Sequence, residues 1–513
     1  MSIQIKQIQK MSVVKCFCKI VCMTSLFILS AEASSIEKYK FPDEFLFGVA
    51  SSAYQIEGGY NADGKGESIY DYFTKKNPKN FFNNSNGNIA CDFYHKWRSD
   101  VKLLKDLGVN FYRFSISWTR ILPNGFSNKI NGDGLRYYND LINNLIENDI
   151  QPMVTMYQKD LPMSLQRLGG WTNPYMAYYY EDYARILFSY FGDRVKHWIT
   201  LDMDYSGYGD NVYPPFLNEP GIANYLCQHV MLLAHAKVYH LYDAEFRIMQ
   251  KGKIGIAVNA TWFEPGSFSP EDIAAAERAR EFKIGSIMNP IFHTDGNYPN
   301  VVRQRVDNAS KAEGYLQSRL PYLLPQEADF VQGTYDFVGL NIYTTFLVKE
   351  NKVNSNKTSI MKDANVTFYQ DKEWSKTSSD WLRVAPDGVR KVLKWVKDKY
   401  DDPEIFITEN GFSDKGEIND VKRIQYLQKY LKAILESIHE DKVNIKGYAV
   451  WSFLDSFQWV AGYREKFGLY HVDFTDPNRK RTPKKSASWY KKVIKEKRVV
   501  DLKEIASDLK GDS

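Results

Sequence analysis

The chain has 513 residues, 44% of them hydrophobic and 25% charged, which is ordinary globular composition rather than that of a disordered chain. Its formal net charge is only +5, and no basic stripe marks it for nucleic acid; Arg479-Lys480-Arg481 with Lys484-Lys485 reads as a solvated surface. Length alone allows one large domain or several small ones.

Residues 1–33 have the form of an export signal. Lys6, Lys10, Lys15 and Lys19 precede an apolar run over 20–29, and Ala31-Glu32-Ala33 offers the small-x-small pattern that a signal peptidase cuts. The run falls short of the roughly 20 residues of a membrane span, so the expectation is a secreted, unanchored protein. Removing 1–33 leaves 63 Lys and Arg against 61 Asp and Glu, a net charge of +2, so most of the apparent basicity belongs to the signal. Cys16, Cys18 and Cys22 leave with it. Cys91 and Cys227 stay, and either one disulfide or two buried thiols accommodates them. Sequons at Asn83, Asn259, Asn308, Asn356 and Asn365 agree with a secretory route and a glycoprotein.

Beyond the signal, short apolar runs with strand character recur at 45–50, 110–117, 151–157, 197–201, 253–259, 337–343, 405–410 and 445–453. Helical periodicity fills the intervals, as over 97–107, 134–147, 175–191, 226–250, 270–285 and 421–438. Strand and helix alternate without a Pro/Gly/Ser linker to divide them. That pattern predicts an α/β fold, a single (β/α)8 TIM barrel over 34–513 with long βα loops, rather than two doubly wound domains. The polar stretch 351–376 reads as a surface loop after the sixth strand. In such a barrel the chemistry collects at the C-terminal ends of the strands.

The polar residues at those ends are Arg113, Gln158, Asp202, Asn341, Glu409 and Trp451 with its successors. They sit inside recognisable runs: Phe41-Pro42-Asp43-Glu44-Phe45-Leu46-Phe47-Gly48, Ser51-Ser52-Ala53-Tyr54-Gln55-Ile56-Glu57-Gly58 and Tyr112-Arg113-Phe114-Ser115-Ile116-Ser117-Trp118. Gly339-Leu340-Asn341-Ile342-Tyr343-Thr344, Ile407-Thr408-Glu409-Asn410-Gly411 and Trp451-Ser452-Phe453-Leu454-Asp455-Ser456-Phe457 come next. In this order the runs resemble glycoside hydrolase family 1, the β-glucosidase and myrosinase family, over nearly all of residues 38–491.

The resemblance implies retaining hydrolysis of a small-molecule β-glycoside, with no cofactor, metal or nucleic acid. It gives Glu409 the role of nucleophile, Arg113 that of the cation lowering its pKa, and Tyr343 that of its hydrogen-bond donor. Gln55, Asn341, Trp451 and Trp459 match residues that hold the sugar. Three departures accompany these matches. The family His-Trp-Asp is Gln158-Lys159-Asp160, and its Asn-Phe-Glu-Trp is Ser456-Phe457-Gln458-Trp459. Where the fourth strand leads into Asn-Glu-Pro, this chain has Asp202-Met203-Asp204, which puts Met203 at the position of the acid/base.

Retaining hydrolysis ordinarily uses two carboxyl groups about 5 Å apart, and a thioether donates no proton. Asp202 and Asp204 are candidate replacements, one methylene shorter than Glu. Asn218-Glu219-Pro220, further on in a Pro-rich stretch, reads as a loop carboxylate and not as a displaced acid. Two functions are consistent with these residues: a secreted glycosidase restricted to good leaving groups, or a catalytically inactive homologue that binds a glycoside or another small ligand. Gln158, Asp202 and Gln458 belong to the candidate sugar contacts in either case.

Overall fold

The computed structural model describes residues 39–351 and 357–504; the expected signal at 1–33 and the sequon residue Asn356 lie outside the described residues. Eight parallel strands close a barrel. They are β1 (Leu46–Ala50), β2 (Phe111–Ser115), β3 (Gln151–Tyr157), β4 (His197–Met203), β5 (Lys253–Asn259), β6 (Phe337–Asn341), β7 (Ile405–Asn410) and β8 (Ile445–Trp451). Each pairs with its chain neighbour and β8 closes on β1, from Leu46 opposite Gly447 to Ala50 opposite Trp451.

The strands read as continuous apolar runs because both faces are buried, one by the barrel interior and one by the surrounding helices. Each strand sends one residue into an interior layer: Ala50, Phe111, Met153, Ile199, Ala257, Phe337, Phe406 and Ala449. Three phenylalanines against three alanines let large and small side chains interdigitate, with Phe337 and Phe406 at 5.3 Å between ring centroids. The barrel is therefore filled below its mouth, and polar chemistry is confined to the C-terminal rim.

The expected helices recur with shifted ends: Phe93–Leu107, Gly132–Glu147, Met176–Phe191, Ala223–Glu245 and Val421–His439. The stretch expected as one helix to residue 250 breaks at Phe246 before Arg247–Gln250. The one expected over 270–285 is α-helical to Arg280 and widens into a π-turn over Glu281–Gly285. The loop expected over 351–376 needs correction. It contains a helical turn, Ile360–Ala364, and a strand, Val366–Tyr369, which pairs with Thr345–Glu350 in a three-stranded sheet completed by Trp262–Pro265. Val366 and Phe368 supply the β-branched and aromatic surface that this sheet buries.

Two bulges adjust the rim. Between β4 and β5 the register passes from Ile199–Gly255 to Asp202–Ala257, one extra residue on β4. Between β7 and β6 it passes from Ile407–Leu340 to Glu409–Asn341, one extra residue on β7. A bulge shifts the in-out alternation by one position and re-aims the side chains beyond it. Both lie immediately before a rim carboxylate, Asp202 and Glu409.

Cys91 and Cys227 are separate buried thiols, Cys91 donating to the Asp455 carbonyl at 3.1 Å. Burial pushes the Cys91 thiol up to about 12, so little thiolate exists at neutral pH. The folded protein lacking residues 1–33 is expected to be inert to Ellman's reagent and to release two equivalents of thiol on denaturation. A titration that finds no thiol after denaturation would establish a disulfide instead.

Candidate active site

Arg113, fully buried at the centre of the rim, holds two carboxylates at once. Its Nη1 donates to Glu409 Oε1 at 2.7 Å and its Nη2 to Asp202 Oδ2 at 2.7 Å. Nε donates to Thr155 Oγ1 at 3.1 Å, which fixes the plane of the guanidinium from β3. Glu409 receives two more donors, Gln158 Nε2 on Oε1 at 3.0 Å and Tyr343 OH on Oε2 at 2.8 Å. Burial, and then the negative charge of Glu409, raise the Tyr343 hydroxyl well above its ordinary value, so it remains a donor. Asn341 links the parts: its Oδ1 accepts from Thr408 Oγ1 at 2.8 Å, and its Nδ2 faces both oxygens of Asp202 at 3.3 and 3.2 Å.

One cation between two carboxylates leaves this group one negative charge in excess. Burial pushes the Glu409 carboxyl up, Arg113 pulls it down and Asp202 raises it again, the balance standing at about 7. Burial first, and then the charge of Asp202, are why an arginine in contact does not restore an ordinary carboxylate.

The expected sugar shell is present but partly engaged with itself. Gln55 accepts from Ser52 Oγ at 2.6 Å and donates to the Phe457 carbonyl at 2.7 Å and to Gln458 Oε1 at 3.3 Å. Gln458 Nε2 donates to Ser456 Oγ at 2.9 Å. Gln158 is the exception, since its buried Oε1 has no hydrogen-bond partner and is free to accept from a ligand hydroxyl. Trp451 belongs to the apolar cluster that caps the barrel interior, and Trp459 is half-buried beside Tyr70, with centroids 4.9 Å apart.

On β4, Met203 is buried at 3% exposure and joins the large apolar cluster. Asp204 is paired with Lys159, Oδ2 to Nζ at 2.5 Å, and accepts from the Ser206 amide at 2.8 Å. Although burial opposes it, Lys159 and Ser206 hold the Asp204 carboxyl below its usual range. Lys159 lies between two rings, 4.7 Å from the centroid of Tyr213 and 5.1 Å from that of Trp459. Glu219 is exposed, and its carbonyl accepts from Ile222 and Ala223 at the start of the helix Ala223–Glu245; the structure does not bring it to the rim group.

Sequence reasoning passed over Thr155, Thr408 and Trp381. The two threonines are ordinary strand residues whose role depends on their partners. Trp381 is 45% exposed on the rim, 5.5 Å from the Tyr343 ring and at 76° to it; a lone tryptophan in a Ser-rich turn was the available signal. Among the described residues no group of three or more His, Cys, Asp or Glu could hold a metal ion, and no helix is long and apolar enough to cross a membrane.

Residues 37–499 match the family model described as Glycosyl hydrolase family 1. Myrosinase 1 of Brevicoryne brassicae is 45% identical over 461 residues, 89% of this chain and 98% of that protein. The cytosolic beta-glucosidase of Homo sapiens is 41% identical over 462 residues, 89% of this chain and 98% of that protein. Among solved structures, an aphid myrosinase matches with a TM-score of 0.87 at 44% identity, over 90% of this chain and 100% of that one. A rice Os3BGlu6 beta-glucosidase matches with a TM-score of 0.83 at 37% identity, over 88% and 99%.

Glu409, expected from the sequence as the nucleophile, can attack an anomeric carbon only when ionised. Inactivation by an activated 2-fluoro-glucoside is therefore expected to speed up through a midpoint at about pH 7 and to level off above it. Asp202→Asn removes the negative neighbour, so the midpoint should move to lower pH. An unchanged midpoint in the pH dependence of inactivation would contradict the sharing of Arg113.

Proposed function

The chain belongs to glycosyl hydrolase family 1, and we propose that it binds a β-glycoside at the barrel mouth and attacks it with Glu409 without a carboxylic acid to protonate the leaving group. The observation that carries this reading is the state of the neighbouring carboxyls. A general acid must hold a proton at the working pH and reach the leaving oxygen. Asp202 is spent on Arg113 at 2.7 Å and Asp204 on Lys159 at 2.5 Å, and Lys159 and Ser206 hold Asp204 as the anion against the effect of burial. Met203, at the position the family resemblance gives to the acid, has no proton to offer.

The expected chemistry is accordingly selective. An O- or S-glycoside whose leaving group departs as a stable anion needs only the nucleophile, the cation behind it and the Tyr343 donor. An alkyl glycoside needs the missing proton, and its loss typically costs about 10² to 10⁴ in rate. The second step then falls to a small base from solution. We assign residues 1–33 to export and place this chemistry outside the cell, on the strength of the Lys-rich start, apolar run and Ala31-Glu32-Ala33.

The second reading, a homologue that binds without turnover, draws support from the rim itself. Gln55 donates to Gln458 and both are otherwise engaged within the protein, and Lys159, paired with Asp204, lies against Tyr213 and Trp459 where a sugar would stack.

The purified protein is expected to hydrolyse alkyl β-glucosides at rates about 10² to 10⁴ below those of a family member with an intact acid. A 2,4-dinitrophenyl 2-fluoro-glucoside should label Glu409, and mass spectrometry should find no label on Glu409→Gln. Azide should hasten release of the label, as a small nucleophile that needs no general base. Absence of any adduct would leave the binding reading. Met203→Glu combined with Asp202→Asn and Asp204→Pro should raise alkyl glucoside turnover; no gain would mean that the altered sugar shell also limits the reaction.

A further inference from the structure

Asn259 is the last residue of β5 and opens the sequon Asn259-Ala260-Thr261. Its place at the mouth follows from register. Ala257 belongs to the layer inside the barrel, and side chains alternate along a strand, so Asn259, two residues on, points to the same side at the rim. Ala257 pairs with Gly339 and Asn259 with Asn341, with no shift between them. Residues in register on neighbouring barrel strands share a face, and Asn341 sends its carboxamide inward to Asp202. Asn259 therefore stands beside the rim group on β5, four strands across the barrel from β1. The residues expected to hold a sugar, Gln55, Trp451 and Trp459, lie at or after the ends of β1 and β8, so the leaving group of a glycoside held there extends toward β5.

Unlike its partner Asn341, Asn259 is exposed. Its Oδ1 accepts from Thr261 Oγ1 at 2.8 Å, and its Nδ2 donates to no described residue. Nδ2 is the atom to which an N-linked glycan is joined. The glycan is added to the chain before it folds, so the folded structure decides which sites it accommodates: the nitrogen must face solvent and hold nothing in the fold together. Asn365 fails that condition, because it is half-buried and its Nδ2 donates to Glu350 Oε1 at 3.1 Å. Asn83 and Asn308 are exposed, but on a loop turn and a helix, neither on a barrel strand. Among the described sequons Asn259 alone combines an exposed, unpaired nitrogen with a position at the mouth.

We propose that Asn259 is an N-glycosylation site whose glycan stands on the leaving-group side of the mouth and narrows it to small aglycones. This rests on the proposed export of the chain and on the proposed glycoside at the mouth. A polyprenyl-pyrophosphate oligosaccharide supplies the sugar. A bond forms between its anomeric carbon and Asn259 Nδ2, the bond from that carbon to the pyrophosphate oxygen breaks, and one amide proton leaves with the lipid pyrophosphate. The linkage is uncharged and the group is bulky, so it acts by filling space and leaves the charges around Arg113 as they are.

The test expresses the full chain in secreting animal cells and maps the peptides of the secreted protein by mass spectrometry. Asn259 should carry a glycan that persists in Thr261→Ser and is absent in Thr261→Ala, which keeps the asparagine itself. In Thr261→Ala the Kd of 4-methylumbelliferyl β-glucoside, a bulky aglycone, should fall about three- to tenfold, the cost of confining one or two flexible groups, while that of methyl β-glucoside should stay within about twofold. Enzymatic removal of the glycan from the folded protein gives the same comparison even if Thr261→Ala folds poorly. The proposal is overturned if the secreted protein carries no glycan at Asn259, or if the bulky glucoside binds no tighter once that glycan is gone. If no protein reaches the medium, the export reading fails and this proposal with it. If neither glucoside binds the protein freed of glycan, the glycoside reading fails, and the peptide masses still decide whether Asn259 is modified.

Discussion

The rim is organised around one buried guanidinium. Arg113 lies on β2 with no exposure to water, and a charge in that position persists only if it is paired and fully hydrogen-bonded. Glu409 from β7 and Asp202 from β4 supply the pairing, Thr155 on β3 accepts from Nε, and the Thr408 carbonyl accepts from Nη1 at 3.3 Å. Asn341 on β6 ties Asp202 to Thr408, the residue before Glu409. Five strands thus converge on one side chain. Breaking a buried pair typically costs about 3–5 kcal/mol, so Arg113 holds the mouth together whatever part it takes in chemistry.

Much of this was legible in the sequence, and the part that was not has a common cause. The strand runs, the barrel and the identities of Arg113, Tyr343 and Glu409 stand in short segments that carry their own signature. The partners of Asp202 and Gln55 do not. Asp202 reads equally well as a sugar contact or as a replacement acid, and only the extra residue on β4 turns it toward Arg113. Gln55 reads as a hand for glucose hydroxyls, but Ser52, the Phe457 carbonyl and Gln458 occupy it. Bulges and long-range hydrogen bonds arise from the whole barrel. The strand Val366–Tyr369 escaped for the same reason, because its partner Thr345–Glu350 lies across a helical turn.

The altered residues also make more sense as pairs than singly. Lys159 between two aromatic rings would be destabilising alone, as would Asp204, which burial disfavours as an anion. Together they neutralise each other, and Lys159 lies close to the faces of Tyr213 and Trp459. Substituting either one leaves the other partly buried without its ion-pair partner. The residues at the ends of β3 and β4 are therefore coupled, and Met203→Glu alone would add a new carboxylate beside Asp202 and Asp204.

That coupling bears on what the site can do. A retaining site with both carboxyls separates their roles by environment, one ionised and one protonated, and its rate is limited at both ends of the pH range. Here two carboxylates share Arg113, and the third, Asp204, is held as an anion below the usual carboxylate range. On the proposed reading, only the ionisation of Glu409, poised at about 7, remains to shape the first step. A substrate that leaves unaided would then show one limb, rising with pH, in place of a bell. The loss of the falling alkaline limb would stem from the electrostatics of Arg113 and Lys159 as directly as from the thioether of Met203, because a carboxyl restored nearby would have to keep its proton in a field already committed to anions.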